Sequence, residues 1–285
     1  MPLDLKTFGT RTLSAIVFGL VMLMGLLWNT WSFITLFLLI NTIALSEFLR
    51  LIERMSGFDY SKNEKMNFYL AGVSAYFMIV SSPMSSCNEP VNILLSRFFF
   101  YFMGLFIGAL IILLMNANRK KLYNLLPGIG YISFSLGLIV QLRYMSLLLP
   151  VILILMIWMN DTMAYITGSI LGKRKLMPSV SPKKTIEGTL GGILFTLGLA
   201  IVWASSTSWF PISLWIMIAL IASVIGTIGD LAESKLKRMA NVKDSGSIMP
   251  GHGGVLDRFD SLLLAAPFAF ITSLILRICF EYKFV

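Results

Sequence analysis

Long apolar runs separated by short polar breaks dominate the chain. About 20 apolar residues in a row are enough to cross a bilayer as an α-helix. The predicted fold class is therefore an all-α polytopic membrane protein with about nine transmembrane helices. The predicted spans lie near residues 12–28, 30–46, 67–83, 94–115, 125–141, 147–170, 187–204, 211–229 and 261–280.

The positive charges fall almost entirely at alternate ends of these spans. Nineteen of the 23 Lys and Arg residues share one set of loops, and the others are Arg97, Arg143, Arg277 and Lys283. Because short cytoplasmic loops are enriched in Lys and Arg, this asymmetry predicts a cytoplasmic N-terminus. The first apolar run resembles a signal peptide, but no small-x-small cleavage pattern follows Trp28, so we interpret it as a retained span.

Composition supports this class and narrows the function. Hydrophobic residues make up 57% of the 285 residues and charged residues only 13%, which argues against a conventional soluble enzyme. The net charge of +9 fits either nucleic acid or an anionic membrane surface as a partner. Cys87 and Cys279 stand far apart without a CxxC or Cys/His cluster, so neither a disulfide framework nor a zinc site is indicated.

Polar residues in unusual places divide the chain into two regions. Residues 1–145, with spans one to five, carry almost none, whereas residues 146–285, with spans six to nine, form the predicted catalytic region. Asp161 interrupts the sixth span, and an ionisable group at membrane depth indicates function. A carboxylate paired to a neighbouring helix for packing specificity would give the same pattern.

The loop after the sixth span is rich in cations. The run from Lys173 to Lys175 is typical of a positively charged cytoplasmic flank. Ser181-Pro182 predicts a helix start whose first turn carries Lys184 and Glu187 on one side, and lysines there suit a phosphate group. The glycine and lysine spacing before this loop is one residue short of a P-loop and follows a membrane helix, so we reject that motif.

A polar stripe is predicted at the end of the eighth span. If the helix continues into the cytoplasm, Asp230, Glu233, Ser234 and Lys237 share one face. A solvated helix end would explain Glu233 equally well. It explains Asp230 poorly, because that residue sits at the membrane edge.

The next loop, residues 243–260, combines glycines and serines with carboxylates and the single histidine, His252. Its backbone can turn N–H groups toward phosphate oxygens, while Asp257 and Asp260 lie one helical turn apart, as ligands of a hard divalent cation would. Carboxylates facing cations suit phosphoryl chemistry with Mg²⁺. Half of the fourteen acidic residues fall near the predicted cytoplasmic ends of the last four spans, namely Asp161, Glu187, Asp230, Glu233, Asp244, Asp257 and Asp260.

These motifs resemble those of the phosphatidate cytidylyltransferases, also called CDP-diacylglycerol synthases. The resemblance covers the C-terminal half, and the N-terminal half is similar in hydropathy only. Met249 stands where the family has Leu, Ile or Phe. The matching segments are Asn160-Asp161-Thr162 with Tyr165 and Gly168; Ser181-Pro182-Lys183-Lys184-Thr185-x-Glu187-Gly188; and Ser234-x-Leu236-Lys237-Arg238-x4-Lys243-Asp244-x-Gly246-x2-Met249-Pro250-Gly251-His252-Gly253-Gly254-Val255-Leu256-Asp257-Arg258-Phe259-Asp260.

The resemblance implies transfer of a cytidylyl group from CTP to phosphatidic acid by a nine-helix homodimer of the plasma (inner) membrane. The active site would face the cytoplasm. The resemblance implies Mg²⁺ as the cofactor and leaves open whether K⁺ is a second one. The gathering of acids and cations at one site points to a metal-bound triphosphate and an anionic lipid rather than to nucleic acid.

The resemblance also implies roles for individual residues. The implied catalytic residues are Asp161, Lys184, Glu187, Asp230 and Asp257. The implied substrate-binding residues are Lys183, Ser234, Lys237, Arg238, Lys243, Asp244, Gly251, His252, Gly253, Gly254 and Arg258. The implied metal ligands are Asp230 and Asp257, supported by Asp260. Residues 251–254 would cradle the triphosphate, and Asp161 with Glu187 would complete a polar cavity.

Two other functions stay open from the residues. A CTP-dependent lipid kinase, acting for example on a polyprenol, would transfer the γ-phosphate instead. A transporter would account for Asp161 and the basic face, but it has no natural use for a glycine-rich phosphate loop. Gly104-x3-Gly108 in the fourth span is a small-x3-small face that either dimerisation or internal packing would explain.

Overall fold

The computed structural model describes residues 5–85, 90–116, 119–248 and 253–279, and these are almost entirely helical. The helices are α1 (Leu5–Leu27), α2 (Thr30–Ser56), α3 (Lys62–Val80), α4 (Pro90–Ser96), α5 (Phe99–Asn116), α6 (Arg119–Gly128), α7 (Ser135–Met145), α8 (Leu148–Leu171), α9 (Ile186–Ser206), α10 (Ile212–Leu220), α11 (Gly226–Met239) and α12 (Leu256–Cys279). The strands are β1 (Lys175–Met177) and β2 (Ser181–Thr185). A 3₁₀ turn covers Pro83–Ser85, and π-helical segments, Ile129–Phe134 and Ile221–Ile225, join α6 to α7 and α10 to α11.

Six helical stretches in the described part of the chain are long and apolar enough to cross a membrane, which fits the predicted all-α polytopic class. They are Thr30–Ser56, Lys120–Met145, Leu148–Leu171, Ile186–Ser206, Ile212–Met239 and Leu256–Ile278. The helices Pro90–Ser96 and Phe99–Met115 meet at 55° and would make a seventh as a broken span. The nine spans and the cytoplasmic N-terminus stay predictions.

Local sequence signals set several helix ends. Asn29 caps α2, because its side chain accepts a hydrogen bond from the Ser32 N–H at 2.8 Å while the Ser32 hydroxyl accepts from the Asn29 N–H at 3.1 Å. Gly57 ends the same helix with φ of 65°, a left-handed conformation that glycine adopts without strain. Ser61 and Glu64 form the same reciprocal cap at the start of α3.

The chain forms two compact units, residues 1–140 with 239–259 and residues 141–238 with 260–285. The sequence-based division at residue 145 differs from this, because the segment 239–259 belongs to the first unit. In that unit α2 and α3 pack together around buried aromatic side chains such as Phe37 and Tyr76. The Tyr76 hydroxyl donates a hydrogen bond to the Ile34 carbonyl at 2.8 Å, which satisfies a phenol that water does not reach.

In the second unit α8 and α9 form the most extensive helix pair. Glycines on α9 allow the close approach. A Cβ atom at Gly188 would lie 2.6 Å from the Ala164 carbonyl oxygen, and one at Gly192 would lie 2.8 Å from the Asn160 carbonyl oxygen. Small residues at such positions are typical of packed membrane helices.

A short antiparallel hairpin, β1–β2, corrects the sequence prediction for residues 181–185. Ser181-Pro182 was expected to start a helix, but these residues belong to β2, with Lys175 opposite Thr185 and Met177 opposite Ser181. The helix starts one residue after Thr185, whose backbone is extended and whose hydroxyl accepts the Gly188 N–H at 3.1 Å. Thr185 is therefore the N-cap, and Pro182 is tolerated in β2 because both strands of a two-stranded sheet are edge strands.

Candidate active site

The second unit contains a polar cavity of about 650 Å³, a size suited to a small-molecule substrate. Its walls come from α8, the hairpin, the start of α9 and α11. The sequence-predicted residues Asp161, Lys183, Lys184 and Asp230 all line it. Lys175, expected only as part of a charged flank, lines it as well. The cavity therefore brings together three lysines and two carboxylates.

Lys184 and Asp230 form an ion pair in this cavity. The strand β2 carries Lys184 and α11 carries Asp230, so the pair joins the hairpin to the helix that ends the eighth predicted span. Both side chains keep about a quarter of their surface exposed, 27% and 25%. A substrate phosphate entering the cavity can therefore reach the ammonium group.

Asn160 connects α8 to α11 beside this ion pair. Its Nδ2 lies 3.4 Å from both Asp161 Oδ1 and Thr227 Oγ1. Asn160 itself is buried, whereas Asp161 lines the cavity. The close packing of α8 against α9 holds this wall in place, since the Thr167 hydroxyl lies 3.2 Å from the Gly188 carbonyl oxygen.

Glu187 is not among the cavity-lining residues, contrary to its expected place beside Asp161. Its carboxylate accepts hydrogen bonds from the backbone N–H of Lys173 at 3.0 Å and of Arg174 at 3.1 Å. Because α9 starts after a strand rather than at Ser181, Glu187 points to the start of the hairpin. It braces the element that carries Lys183 and Lys184, and its predicted catalytic role stays a prediction.

The predicted polar stripe on α11 is present. The Ser234 hydroxyl donates to Asp230 Oδ1 at 3.2 Å, and Lys237 pairs with Glu233 at 2.5 Å. Glu233 is only 2% exposed, so the alternative of a solvated helix end is wrong for this residue. Lys237, expected to neutralise phosphates, is 8% exposed.

Two further predicted residues of the second unit are held by backbone groups. Arg238 donates from Nε to the Val180 carbonyl oxygen at 3.2 Å and so ties the end of α11 to the hairpin turn. Asp260, near the start of α12, accepts the Ser261 N–H at 2.6 Å. Their predicted roles toward phosphate and metal are untested by these contacts.

We call residues 243–254 the glycine loop. In the first unit, Asp257 organises the described part of this loop. Its Oδ2 accepts hydrogen bonds from the Ser245 N–H at 2.9 Å, the Ser245 hydroxyl at 3.0 Å and the Gly254 N–H at 2.7 Å. Gly253 has φ of 82°, and a Cβ atom there would lie 2.7 Å from the same oxygen. The Gly254 N–H, expected to face a triphosphate, is therefore bonded to Asp257.

The other predicted residues of this loop differ in how far the structure describes them. Lys243, Asp244 and Arg258 are exposed. Gly251 and His252 lie outside the described residues, so their predicted roles toward phosphate stay predictions.

Glu47 is a residue that the sequence reasoning missed. It lies in α2, is fully buried, and accepts hydrogen bonds from the backbone N–H of Val255 and Leu256. The predicted span ends at residue 46, which places Glu47 just outside the membrane-spanning segment. The helix continues to Ser56, which places this carboxylate inside a long apolar helix.

The donor set fits Mg²⁺ only in combination with substrate. Over residues 5–85, 90–116, 119–248 and 253–279, no group of three or more His, Cys, Asp or Glu side chains is arranged to hold a metal ion. Mg²⁺ in proteins commonly takes one or two carboxylates and completes its shell with water and substrate phosphates. Asp161 and Asp230 offer such hard oxygen donors in the cavity.

Comparison with known proteins gives a consistent result. The model of a family described as the cytidylyltransferase family matches residues 9–276. Proteins named phosphatidate cytidylyltransferase are similar to this chain: one from Bacillus subtilis is 51% identical over 115 residues, 40% of this chain and 43% of that protein. One from Staphylococcus saprophyticus is 42% identical over 144 residues, 50% of this chain and 55% of that protein. The chain thus spans about half the length of the curated relatives it matches.

Proposed function

Because the chain belongs to the cytidylyltransferase family, we propose that it transfers the cytidylyl group of CTP to phosphatidic acid, giving CDP-diacylglycerol and pyrophosphate. The names of its relatives support the lipid substrate. The observation that carries the proposal is the polar cavity in which Lys183 and Lys184 accompany Asp161 and Asp230. Cations suited to phosphate oxygens and carboxylates suited to a hard metal ion meet there.

In the proposed reaction, an oxygen of the phosphatidate phosphate attacks the α-phosphorus of CTP. The bond from that phosphorus to the bridging oxygen of the β-phosphate breaks, and pyrophosphate leaves with the electron pair. A phosphate monoester carries a charge of about −1.5 to −2 at pH 7, so the attacking oxygen needs no strong base. This fits a reaction without a covalent enzyme intermediate.

The chain's own residues position and neutralise the phosphates in this proposal. Lys183 and Lys184 bind phosphate oxygens, and Asp230 holds the Lys184 ammonium group in place. Asp161 keeps the far wall of the cavity polar. By resemblance, Asp230, Asp257 and Asp260 would be the protein ligands of Mg²⁺, which would supply charge neutralisation for the departing pyrophosphate.

Membrane location suits both substrates. The cavity is lined by parts of helices that are long and apolar enough to span a bilayer, so a lipid can keep its acyl chains in the membrane while CTP enters from water. We place the protein in the plasma membrane, as a homodimer, with the cavity open to the cytoplasm, because the positive loops favour that side.

Double labelling of CTP tests the proposed reaction. The full chain, purified in detergent, is incubated with phosphatidic acid and CTP labelled either in the cytosine ring or at the γ-phosphate. We expect ring label in the lipid, γ-label in pyrophosphate, and loss of both when Mg²⁺ is removed by EDTA. Ring label left wholly in the aqueous phase would overturn the proposal, and γ-label in the lipid would identify a CTP-dependent lipid kinase instead.

A further inference from the structure

Glu47 is a buried carboxylate to which the proposed reaction gives no role. It lies in the second half of α2, with none of its surface exposed. A carboxylate buried in an apolar helix is costly unless its oxygens accept hydrogen bonds. Its partners therefore show what it does.

In the described part of the chain, the hydrogen bonds to the Glu47 carboxylate come from residues about 200 positions later in the sequence. Oε1 accepts the Val255 N–H at 3.0 Å, and Oε2 accepts the Leu256 N–H at 2.8 Å and the Ser245 hydroxyl at 2.8 Å. These donors come from both sides of residues 249–252. One side chain of α2 thus fixes both flanks of the glycine loop.

Two glycines of this segment leave room for the Glu47 side chain, and Gly254 also leaves room for the Ser245 hydroxyl. A Cβ atom at Gly246 would lie 2.8 Å from Cδ of Glu47, and one at Gly254 would lie 2.7 Å from the same atom. Real Cβ atoms essentially never approach so closely. Part of the glycine content of the motif therefore makes room for a carboxylate of the protein, whereas the sequence suggested room for phosphates.

Ser245 connects Glu47 to Asp257. Its hydroxyl lies 2.8 Å from Glu47 Oε2 and 3.0 Å from Asp257 Oδ2, while its N–H donates to Asp257 at 2.9 Å. A hydroxyl has one proton, so it donates to one carboxylate at a time. Its backbone N–H keeps Asp257 bonded when the hydroxyl turns to Glu47.

The N–H groups that lead into α12 are consequently already occupied. Gly254 donates to Asp257, and Val255 and Leu256 donate to Glu47. A helix N-terminus ordinarily attracts anions, including phosphates. Here the anions are two side chains of the protein, so this helix end serves to hold the loop.

We propose that Glu47 is a positioning residue, which fixes Ser245, Val255 and Leu256 and thereby orients the Asp257 carboxylate for the metal-assisted reaction. The inference rests on the proposed function for the task of Asp257, but the contacts between Glu47 and the loop stand independently of it. Residues that orient metal ligands commonly change metal affinity or activity by about 10-fold to 100-fold when replaced.

Variants of Glu47 separate positioning from simple stabilisation. Glu47→Gln keeps the shape but turns one acceptor into a donor facing an N–H group. Glu53→Gln, on the same helix and in a partly exposed ion pair with Lys65, is the matched control. We expect Glu47→Gln to raise the Mg²⁺ concentration for half-maximal turnover by about 10-fold or more, with Glu53→Gln unchanged.

Hydrogen exchange supplies a readout besides turnover. In Glu47→Gln, peptides covering residues 253–257 should exchange faster while peptides of α8 and α9 keep their protection. A lower unfolding temperature with unchanged Mg²⁺ dependence and unchanged exchange at 253–257 would overturn the positioning role. If the wild-type chain transfers no cytidylyl group, the proposed function fails, whereas the exchange result still decides whether Glu47 holds the loop.

A double variant tests the steric contact directly. Gly246→Ala alone should disrupt the loop, because the three heavy atoms nearest to its Cβ all belong to the Glu47 side chain. In a Glu47→Ala background the same change should cost less than the two single changes predict, in both exchange protection and unfolding temperature. Strict additivity would contradict the proposed contact.

Discussion

The ion pair between Lys184 and Asp230 gives the cavity a partly exposed cation that a carboxylate holds in place. Lys184 lies on a strand, so its position depends on the hairpin register as well as on Asp230. Lys173, only eleven residues earlier, contributes a backbone N–H to Glu187 and does not line the cavity. Comparing kcat after replacement of each lysine therefore separates the effect of position in the cavity from the effect of general positive charge.

We expect Lys184→Met to lower kcat for cytidylyl transfer by about 10²–10³-fold, the range for loss of one preorganised group that stabilises transition-state charge. Lys173→Met removes the same charge from the same loop and should change kcat little. Steady-state kinetics with ring-labelled CTP measures both variants. Equal losses would contradict a specific role for Lys184.

The sequence alone identifies those site residues whose ionisable groups are unusual for their position in the chain. Asp161, Lys183, Lys184 and Asp230 stood out because ionisable groups are rare beside apolar runs, and all four line the cavity. Glu47 escaped because its meaning depends on partners about 200 residues away, which no local pattern reveals. Glu187 lies outside the cavity lining for a related reason, since α9 starts at Ile186 rather than at Ser181 and its first turn is oriented differently.

At the scale of elements, the close packing of α8 against α9 holds one wall of the cavity in place. Gly188 is the tightest backbone contact of this pair, with the Ala164 carbonyl oxygen 2.6 Å from where a Cβ would lie. Gly198, on the same helix, would place a Cβ atom with nothing within 4 Å. Glycine is thus required at one position and optional at the other.

We expect Gly188→Ala to destabilise the protein by about 1–3 kcal/mol, the usual cost of overpacking a well-fitted contact. Gly198→Ala should leave stability unchanged or slightly higher, since alanine within a helix is more favourable than glycine by about 0.5–1 kcal/mol. Unfolding of both variants in the same detergent gives the comparison. A stable Gly188→Ala protein would mean that the helix pair can separate without loss.

Helices were predictable and the hairpin was not. Apolar runs located the helices, because helix length follows from the bilayer and from the cap residues at each end. The strands β1 and β2 are three and five residues long, and only one of their residues, Thr185, is buried, so no alternation of buried and exposed positions marks them. Ser181-Pro182 fits a helix start on local grounds, and Thr185 provides a better one.

At the scale of the whole molecule, the charge distribution predicts which loops face the cytoplasm. Ser208, between α9 and α10, and Ser247, after α11, are both exposed. In a chain whose Cys87 and Cys279 are replaced by serine, Ser208→Cys should react with an impermeant maleimide on intact cells. Ser247→Cys should react only after permeabilisation. The reverse pattern would contradict the orientation inferred from Lys and Arg.

The proposed homodimer has a testable surface on α5. Cβ atoms at Gly104 and Gly108 would meet nothing within 4 Å, so internal packing does not account for these glycines in the described part of the chain. We expect the pair of changes Gly104→Ile and Gly108→Ile to halve the mass measured by light scattering in detergent. Gly198→Ile, at another open glycine, is the control and should leave the mass unchanged.

The bond network of Glu47 also has a consequence for biogenesis. A ribosome adding about 5–20 residues per second needs about 10–40 s to proceed from Glu47 to residues 245–256. For that interval the α2 carboxylate lacks the partners that satisfy it in the finished protein. Chains truncated between residues 240 and 244 should therefore expose α2 to membrane quality control, even though every helix from α1 to α11 has already been synthesised.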